Sequence, residues 1–415
     1  MKSITWSRQS EAFTQDSRAL AMRKVTILKP ISKITENFTE SVIREMTRIC
    51  DEHGGYNLAQ GFPDFNPPEE IMEAAIKAIR DGHNQYAVTF GEPHFREAIA
   101  NKVSEYNKIK CDPVFDITVT CGATEAMIAT LKAIVNPGDE IIVFEPFYEN
   151  YGPDSILSGA TPRYVTLYPP DWHYNLDELA AAFNEKTKAI VINTPHNPTG
   201  KVFSLGELRS IADLCIKWDT YCITDEVYEH IIYDDAEHIS IASLDGMGDR
   251  TVTINSMSKT YSVTGWRVGW AIANRHVTSG IRKVHDFLTV GAARPLQEAG
   301  VTALRMPQSY YQGLQQTYEK ARKVLYEVLI KAGFSCEKPR GAYYMMCEND
   351  KLMTELGANN DHEFARRLIE STGVASVPGT SFYSSQDKGL NQLRFCFSKS
   401  KDTLDRVRFG FNKLV

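Results

Sequence analysis

Between about residues 115 and 275, short apolar, β-branched runs alternate with longer stretches of helical period. The runs are Ile117–Thr120, Ile141–Phe144, Ala189–Ile192, Tyr221–Thr224, Thr251–Ile254 and Val268–Ile272. Amphipathic stretches such as Glu125–Ile134 and Gly206–Trp218 lie between them. Strands that are apolar throughout and separated by helices predict an α/β fold with a mostly parallel sheet covered by helices on both faces. Ligands of such sheets bind beyond the carboxyl ends of the strands, and every motif considered below falls at such an end. After about residue 290 the pattern changes. A helical region over Pro295–Ala332 leads to GFSCEKPRGAYYMM, a helix around Asp361–Ser371 and a strand over Gln392–Phe397. The division expected is an N-terminal arm over 1–30, a large domain over 76–300, and a small α+β domain from 31–75 and 301–415.

Composition adds exclusions. A chain of 415 residues is long for one core, which agrees with two domains. The net charge of -6 comes from 46 basic and 52 acidic residues without long runs of one sign, so no basic stripe invites nucleic acid. Eight cysteines include no C-x-x-C pair, and no Cys/His cluster has zinc-ligand spacing. Cys121, Cys222 and Cys396 sit in apolar stretches and read as free thiols in a reducing compartment. No metal is expected. No segment has signal-peptide or membrane-spanning character, so a cytoplasmic protein without a membrane partner is the expectation. There is no internal repeat.

Candidate chemistry begins at Ser256-Met257-Ser258-Lys259-Thr260-Tyr261, followed by Gly265-Trp266-Arg267. A lysine just after an apolar strand sits at a desolvated sheet end, where its pKa falls and its amine becomes nucleophilic. Serines and an arginine nearby offer donors for a phosphate dianion. Taken alone, a lysine beside serines is an ordinary surface residue. The strand Tyr221–Thr224, however, runs into Asp225, and a carboxylate there is costly unless paired. A protonated pyridine nitrogen is one such partner; a helix cap is the plainer alternative. Val191-Ile192-Asn193 runs into the rigid turn TPHNPTG, which presents Asn197, and Cys121-Gly122-Ala123-Thr124 opens a helix whose free N–H groups suit a phosphate.

The set GATEA, EPFYENY, NTPHNPTG, TDEVYE, SMSKTYSVTGWRVGW and LRFCFSKS, in this order, closely resembles the class I aminotransferases of pyridoxal-5′-phosphate (PLP) fold type I, the aspartate aminotransferase-like fold. Within them, NLAQGFPDFNPP and SVPGTSFY resemble the kynurenine, glutamine and methionine branch. The resemblance implies that Lys259 forms a Schiff base with PLP and shuttles a proton, and that Asp225 keeps the pyridine nitrogen protonated. It implies that Asn197 and Tyr228 bond the phenolate oxygen and that Tyr148 stacks on the ring. The phosphate would rest on Ala123, Thr124, Ser256, Arg267 and the Tyr86 hydroxyl of a second subunit, which implies a homodimer. Arg394 would hold the substrate carboxylate, helped by Asn197 and the Gly61 backbone.

The implied activity is transfer of an amino group from an L-amino acid to a 2-oxo acid by a ping-pong mechanism. The donor would be aromatic, methionine, glutamine, kynurenine or aspartate. A PLP-dependent lyase or cyclase on the same scaffold is the alternative. A ligand-sensing transcription regulator would need a DNA-binding module, and the roughly 30 residues ahead of the resemblance are too few for one. Arg294, in Gly291-Ala292-Ala293-Arg294-Pro295, departs from the branch pattern. Either it meets a second substrate carboxylate or it is a surface or interface arginine. Tyr343 of GAYYMM is either a pocket or a core residue, and the histidines read as turn or surface residues.

Overall fold

The computed structural model describes residues 30–38 and 40–414. The arm expected over 1–30 lies outside the described residues except for Pro30. The chain divides into a unit ending at Thr39 and a unit from Glu40 onward. In the first, Lys33–Asn37 forms a single 3-10 turn, started by a bond from the Thr35 hydroxyl to the Ser32 carbonyl at 2.7 Å.

Among the described residues of the second unit, thirteen strands form three sheets. In chain order they are β1 (Tyr56–Asn57), β2 (Ile117–Thr120), β3 (Glu140–Glu145), β4 (Thr161–Tyr168), β5 (His173–Tyr174), β6 (Thr187–Asn193) and β7 (Tyr221–Asp225). Then come β8 (Thr251–Ser256), β9 (Gly269–Ile272), β10 (Tyr344–Glu348), β11 (Val374–Ala375), β12 (Val377–Pro378) and β13 (Gln392–Cys396). The large sheet has the order β2-β9-β8-β7-β6-β3-β4-β5. Parallel pairing joins β4, β3, β6, β7 and β8, while β5 and β9 run antiparallel to their neighbours. The expected mostly parallel α/β sheet is present.

Alternation along the central strands explains why they are apolar throughout. Ile141 and Val143 of β3, with Ala189 and Val191 of β6, enter one core beneath the helix Ala123–Ile134. Ile142, Phe144, Ile190 and Ile192 enter another core, shared with the helix Leu205–Trp218 and the three-stranded sheet. Each face is thus covered, and each Val, Ile or Phe side chain sunk there is worth about 1.5–3 kcal/mol. Leu205–Trp218 starts with a capping box in which the Ser204 hydroxyl accepts the Glu207 amide and Glu207 reaches back.

Two sequence expectations need correction. Val268–Ile272 counted among the strands of a helix-connected sheet, yet β9 returns antiparallel beside β8, pairing Ser256 with Gly269. The connection Met257–Val268 holds only the 3-10 turn Thr264–Trp266, too little for a crossover to a parallel strand. The helical region Pro295–Ala332 is two helices, Arg294–Leu304 and Gln308–Lys331. Pro307 separates them because it lacks an N–H, and it stands as an extended cap to the second. The other two sheets carry the ends of the sequence: β1 pairs with β11, and β13 runs between β10 and β12.

Candidate active site

The carboxyl ends of β2, β3, β6, β7 and β8 face one cavity of about 340 Å³. Ala123 and Thr124 follow β2, Tyr148 follows β3, Asn197 follows β6, Asp225 and Tyr228 end β7, and Ser256 and Lys259 end β8; all line it. Arg267 lines it from the start of β9, Arg394 from β13, and Gly61 from the segment after β1. Of the site residues expected from the sequence, only Tyr86 lies elsewhere, 83% exposed on the surface of this subunit.

The chemistry of this set fits PLP at three points. At the phosphate end, Gly122 adopts φ +86°, and a Cβ there would lie 2.4 Å from Arg267 Nη2. A Cβ on Gly269 would lie 2.6 Å from the Ala123 nitrogen. Gly122 therefore lets the Arg267 guanidinium, and Gly269 the backbone of β9, pack against the turn that opens the helix Ala123–Ile134, whose first amides have no helical partner. Ser256 and Ser258 add hydroxyls, so the donor set matches a phosphate dianion.

At the ring end, burial pushes the Asp225 carboxyl up to about 6, although the Tyr151 hydroxyl donates to it at 2.8 Å and the Val227 amide at 3.3 Å. A buried carboxylate that two hydrogen bonds leave at this value is suited to a cationic partner such as a protonated pyridine nitrogen. The aspartate is not a helix cap. Asn193, one strand over, holds the backbone of this strand end through its Nδ2 bond to the Asp225 carbonyl and accepts the Asn197 amide on its Oδ1.

At the substrate end, Arg394 is fully buried. It donates to Asn197 Oδ1 at 2.9 Å and to the Ala59 carbonyl at 2.5 Å, while its Nε has no partner. A buried guanidinium N–H without an acceptor is costly and fits a carboxylate arriving from the cavity. Lys259 Nζ donates to the Gly61 carbonyl at 3.1 Å. Burial, with Arg394 and Arg267 adding to it against the pull of Cys396 and Asp225, lowers its pKa to about 8. All three ends fit PLP and an amino acid.

Several participants escaped the sequence reading. Tyr151 was within the quoted EPFYENY, three residues after Tyr148 and at the start of the helix Tyr151–Leu157, but nothing there marked Asp225 as its partner. Of the two tyrosines in GAYYMM, Tyr344 lines the cavity and meets the Tyr228 hydroxyl at 3.0 Å. Tyr343 is buried behind it, bonded to the Gly61 carbonyl at 3.0 Å. Ser41, Ile43 and Arg44, at the start of the helix Val42–Glu52, also line the cavity. Arg294 does not: its Nε lies 3.2 Å from Glu92 Oε1 of the same chain, a partly exposed ion pair outside the cavity. His230 and His285 are buried rather than at the surface.

Fold and site together define a PLP-dependent aminotransferase. The chain belongs to the family described as aminotransferase class I and II, whose model matches residues 54–408. It is 35% identical to a kynurenine–oxoglutarate transaminase of Dictyostelium discoideum over 96% of this chain and 99% of that one. Among solved structures, N-succinyldiaminopimelate aminotransferase from Mycobacterium tuberculosis superposes with a TM-score of 0.89 at 34% identity, covering 93% of this chain and all of the other. An Escherichia coli protein identified by its structure and reactivity as having a methionine aminotransferase function gives 0.87 at 33%, covering 92% and 99%. As a member of this family, the chain takes amino acids and 2-oxo acids as substrates. Among the described residues, no helix is long and apolar enough to cross a membrane.

Proposed function

We propose that this chain moves an amino group from an L-amino acid to a 2-oxo acid in two half-reactions through one site, with Lys259 as the covalent and proton-carrying residue. The carrying observation is the half-buried Lys259 amine, lowered to about 8, in one cavity with Asp225 and the unsatisfied Arg394 Nε. PLP, when bound, supplies an aldehyde that bonds amines and a ring that takes up electron density from the substrate Cα. Ala123, Thr124, Ser256 and Arg267 would hold its phosphate. Asp225 would hold the ring nitrogen protonated, with Tyr151 fixing the carboxylate. Asn197 and Tyr228 would bond the ring oxygen, and Tyr148 would cover the ring face.

Arg394 orients the substrate by its α-carboxylate, so that the Cα–H points at Lys259 Nζ. At neutral pH an amine of pKa about 8 is neutral in a usable fraction, so it can take the Cα proton and return it. The donor would be of aromatic, methionine, glutamine, kynurenine or aspartate type, and similarity to kynurenine–oxoglutarate and methionine aminotransferases supports the kynurenine and methionine members of that set. Because Tyr86 stands clear of this subunit's cavity, we further propose a homodimer in which it reaches the partner's phosphate site. Within the unit from Glu40, residues 76–300 would be the large domain, and the β1–β11 pairing supports a small domain built from both flanks.

The test mixes PLP-loaded protein with single amino acids and no 2-oxo acid. One equivalent of the matching 2-oxo acid per subunit, then no more, is the expected outcome. Continued release of product without an acceptor would instead mean elimination or cyclisation.

A further inference from the structure

On the far side of β2 and β9 from the sheet centre lies a second cleft, of about 530 Å³, that shares no lining residue with the first. The helix Arg275–Thr289 contributes Arg275, Arg282, Lys283 and Asp286, and two loops contribute Phe90 and Phe115. The arginines are set in place by the aromatic rings. Arg275 stacks over Phe115 at 3.5 Å and Arg282 over Phe90 at 3.9 Å, with Arg96 at 5.0 Å from the same Phe90 ring. Arg282 Nη2 is spent on the Val114 and Ile117 carbonyls at 2.8 and 2.7 Å, yet its buried Nε has no partner.

Among the described residues, none of Arg96, Arg275, Arg282 and Lys283 has a carboxylate within 4.0 Å, although Asp286 lines the cleft, Asp116 lies near Arg282, and Glu97, Asp112 and Glu92 act on Arg96 from further off. Burial, with Arg96 adding to it, lowers Arg282 to about 10. In a chain whose net charge is -6, forked cations crowded together without a direct ion pair mark a place suited to an anion.

We propose that this cleft binds a small polyanion bearing phosphoryl or carboxylate groups, held by Arg275, Arg282 and Lys283. The site shares no lining residue with the catalytic cavity and does not depend on the transaminase reading. Titration calorimetry on the PLP-loaded protein at fixed ionic strength tests it, with pyrophosphate and citrate as probes. Saturable binding of pyrophosphate assigns a phosphoryl ligand; binding of citrate alone assigns a polycarboxylate.

Arg275 and Lys283 are exposed, so the R275A/K283A variant should fold and keep its aminotransferase rate. It should bind the probe roughly 10- to 100-fold more weakly, the loss expected for two charge-assisted contacts. K320A/K323A, which removes the same charge from the exposed face of another helix, should bind as wild type does. No binding of either probe, or equal binding by the two double variants, would overturn the proposal.

Discussion

Asp225 and Lys259 each weaken the protein without its cofactor, in different pH ranges. The Asp225 carboxyl stands at about 6 against an ordinary 3.8, so the folded chain binds more protons than the unfolded chain between these values. The penalty is absent below that window, grows as pH rises through it, and is complete above about pH 6, where it amounts to about 3 kcal/mol. For Lys259, at about 8 against 10.5, the unfolded chain binds more protons, so its penalty is complete below about 8 and disappears as pH rises to 10.5. D225N should therefore raise the melting temperature of the PLP-free protein at pH 7.5, with the gain vanishing toward pH 4. Its turnover should fall at least about 100-fold, because the ring nitrogen loses its anion. A PLP-free D225N that melts below wild type at pH 7.5 would contradict this account. Arg394→Lys keeps the charge and loses the fork; kcat/KM for amino-acid donors should drop on the order of 100-fold.

Side chains at strand ends were legible in the sequence for a physical reason. A charge following an apolar run has few acceptable settings, which drew attention to Asp225 and Lys259, whereas Arg394, in the middle of β13, came only with the family resemblance. Partners chosen by tertiary packing were not legible. The Tyr151 hydroxyl meets Asp225 across 74 residues of chain, and Arg294 meets Glu92, a pairing that only the helix Arg294–Leu304 packed beside residue 92 creates.

Among the elements, the turn from β2 into the helix Ala123–Ile134 is the most constrained. Gly122→Ala meets both a left-handed φ of +86° and the Arg267 guanidinium. Strain of about 1–3 kcal/mol at the phosphate cradle should weaken PLP binding by roughly 10- to 100-fold, which dialysis followed by PLP titration would measure. Unchanged PLP affinity would mean that Arg267 does not clamp the phosphate. Elements were read with uneven success. The central strands β3, β6, β7 and β8 came through because both faces are buried. β4 did not, because its exposure alternates over Thr161–Tyr168 and no continuous apolar run forms. The direction of β9 depends on loop length, not on the strand's own residues.

For the whole molecule, the surface around Tyr86 poses the main question. Phe287 is 92% exposed, and Leu288, Val290 and Val88 are exposed beside it in sequence or near Tyr86. Such apolar groups in one stretch fit a face covered by a second copy. Phe287→Glu should shift the sedimentation coefficient from dimer to monomer at micromolar protein. Activity should fall with it, since the partner's phosphate site loses Tyr86. A wild-type protein that sediments as a monomer would remove the homodimer from the proposal.

The hairpin from β8 to β9 carries one more implication. Lys259 and Arg267 both lie on it, and its ends are tied by the Met257 amide bonded to the Val268 carbonyl at 3.0 Å and by the pairing of Ser256 with Gly269. The separation of the covalent anchor from the phosphate clamp is therefore set by how many residues intervene, more than by which ones. Adding or removing one residue turns the following strand's side chains to the opposite face. In descent from an ancestral gene, a single codon lost from or gained in residues 260–266 would disable the enzyme even where every buried side chain of the loop, such as Tyr261 and Val263, were kept. The length of that loop is a heritable dimension of the site.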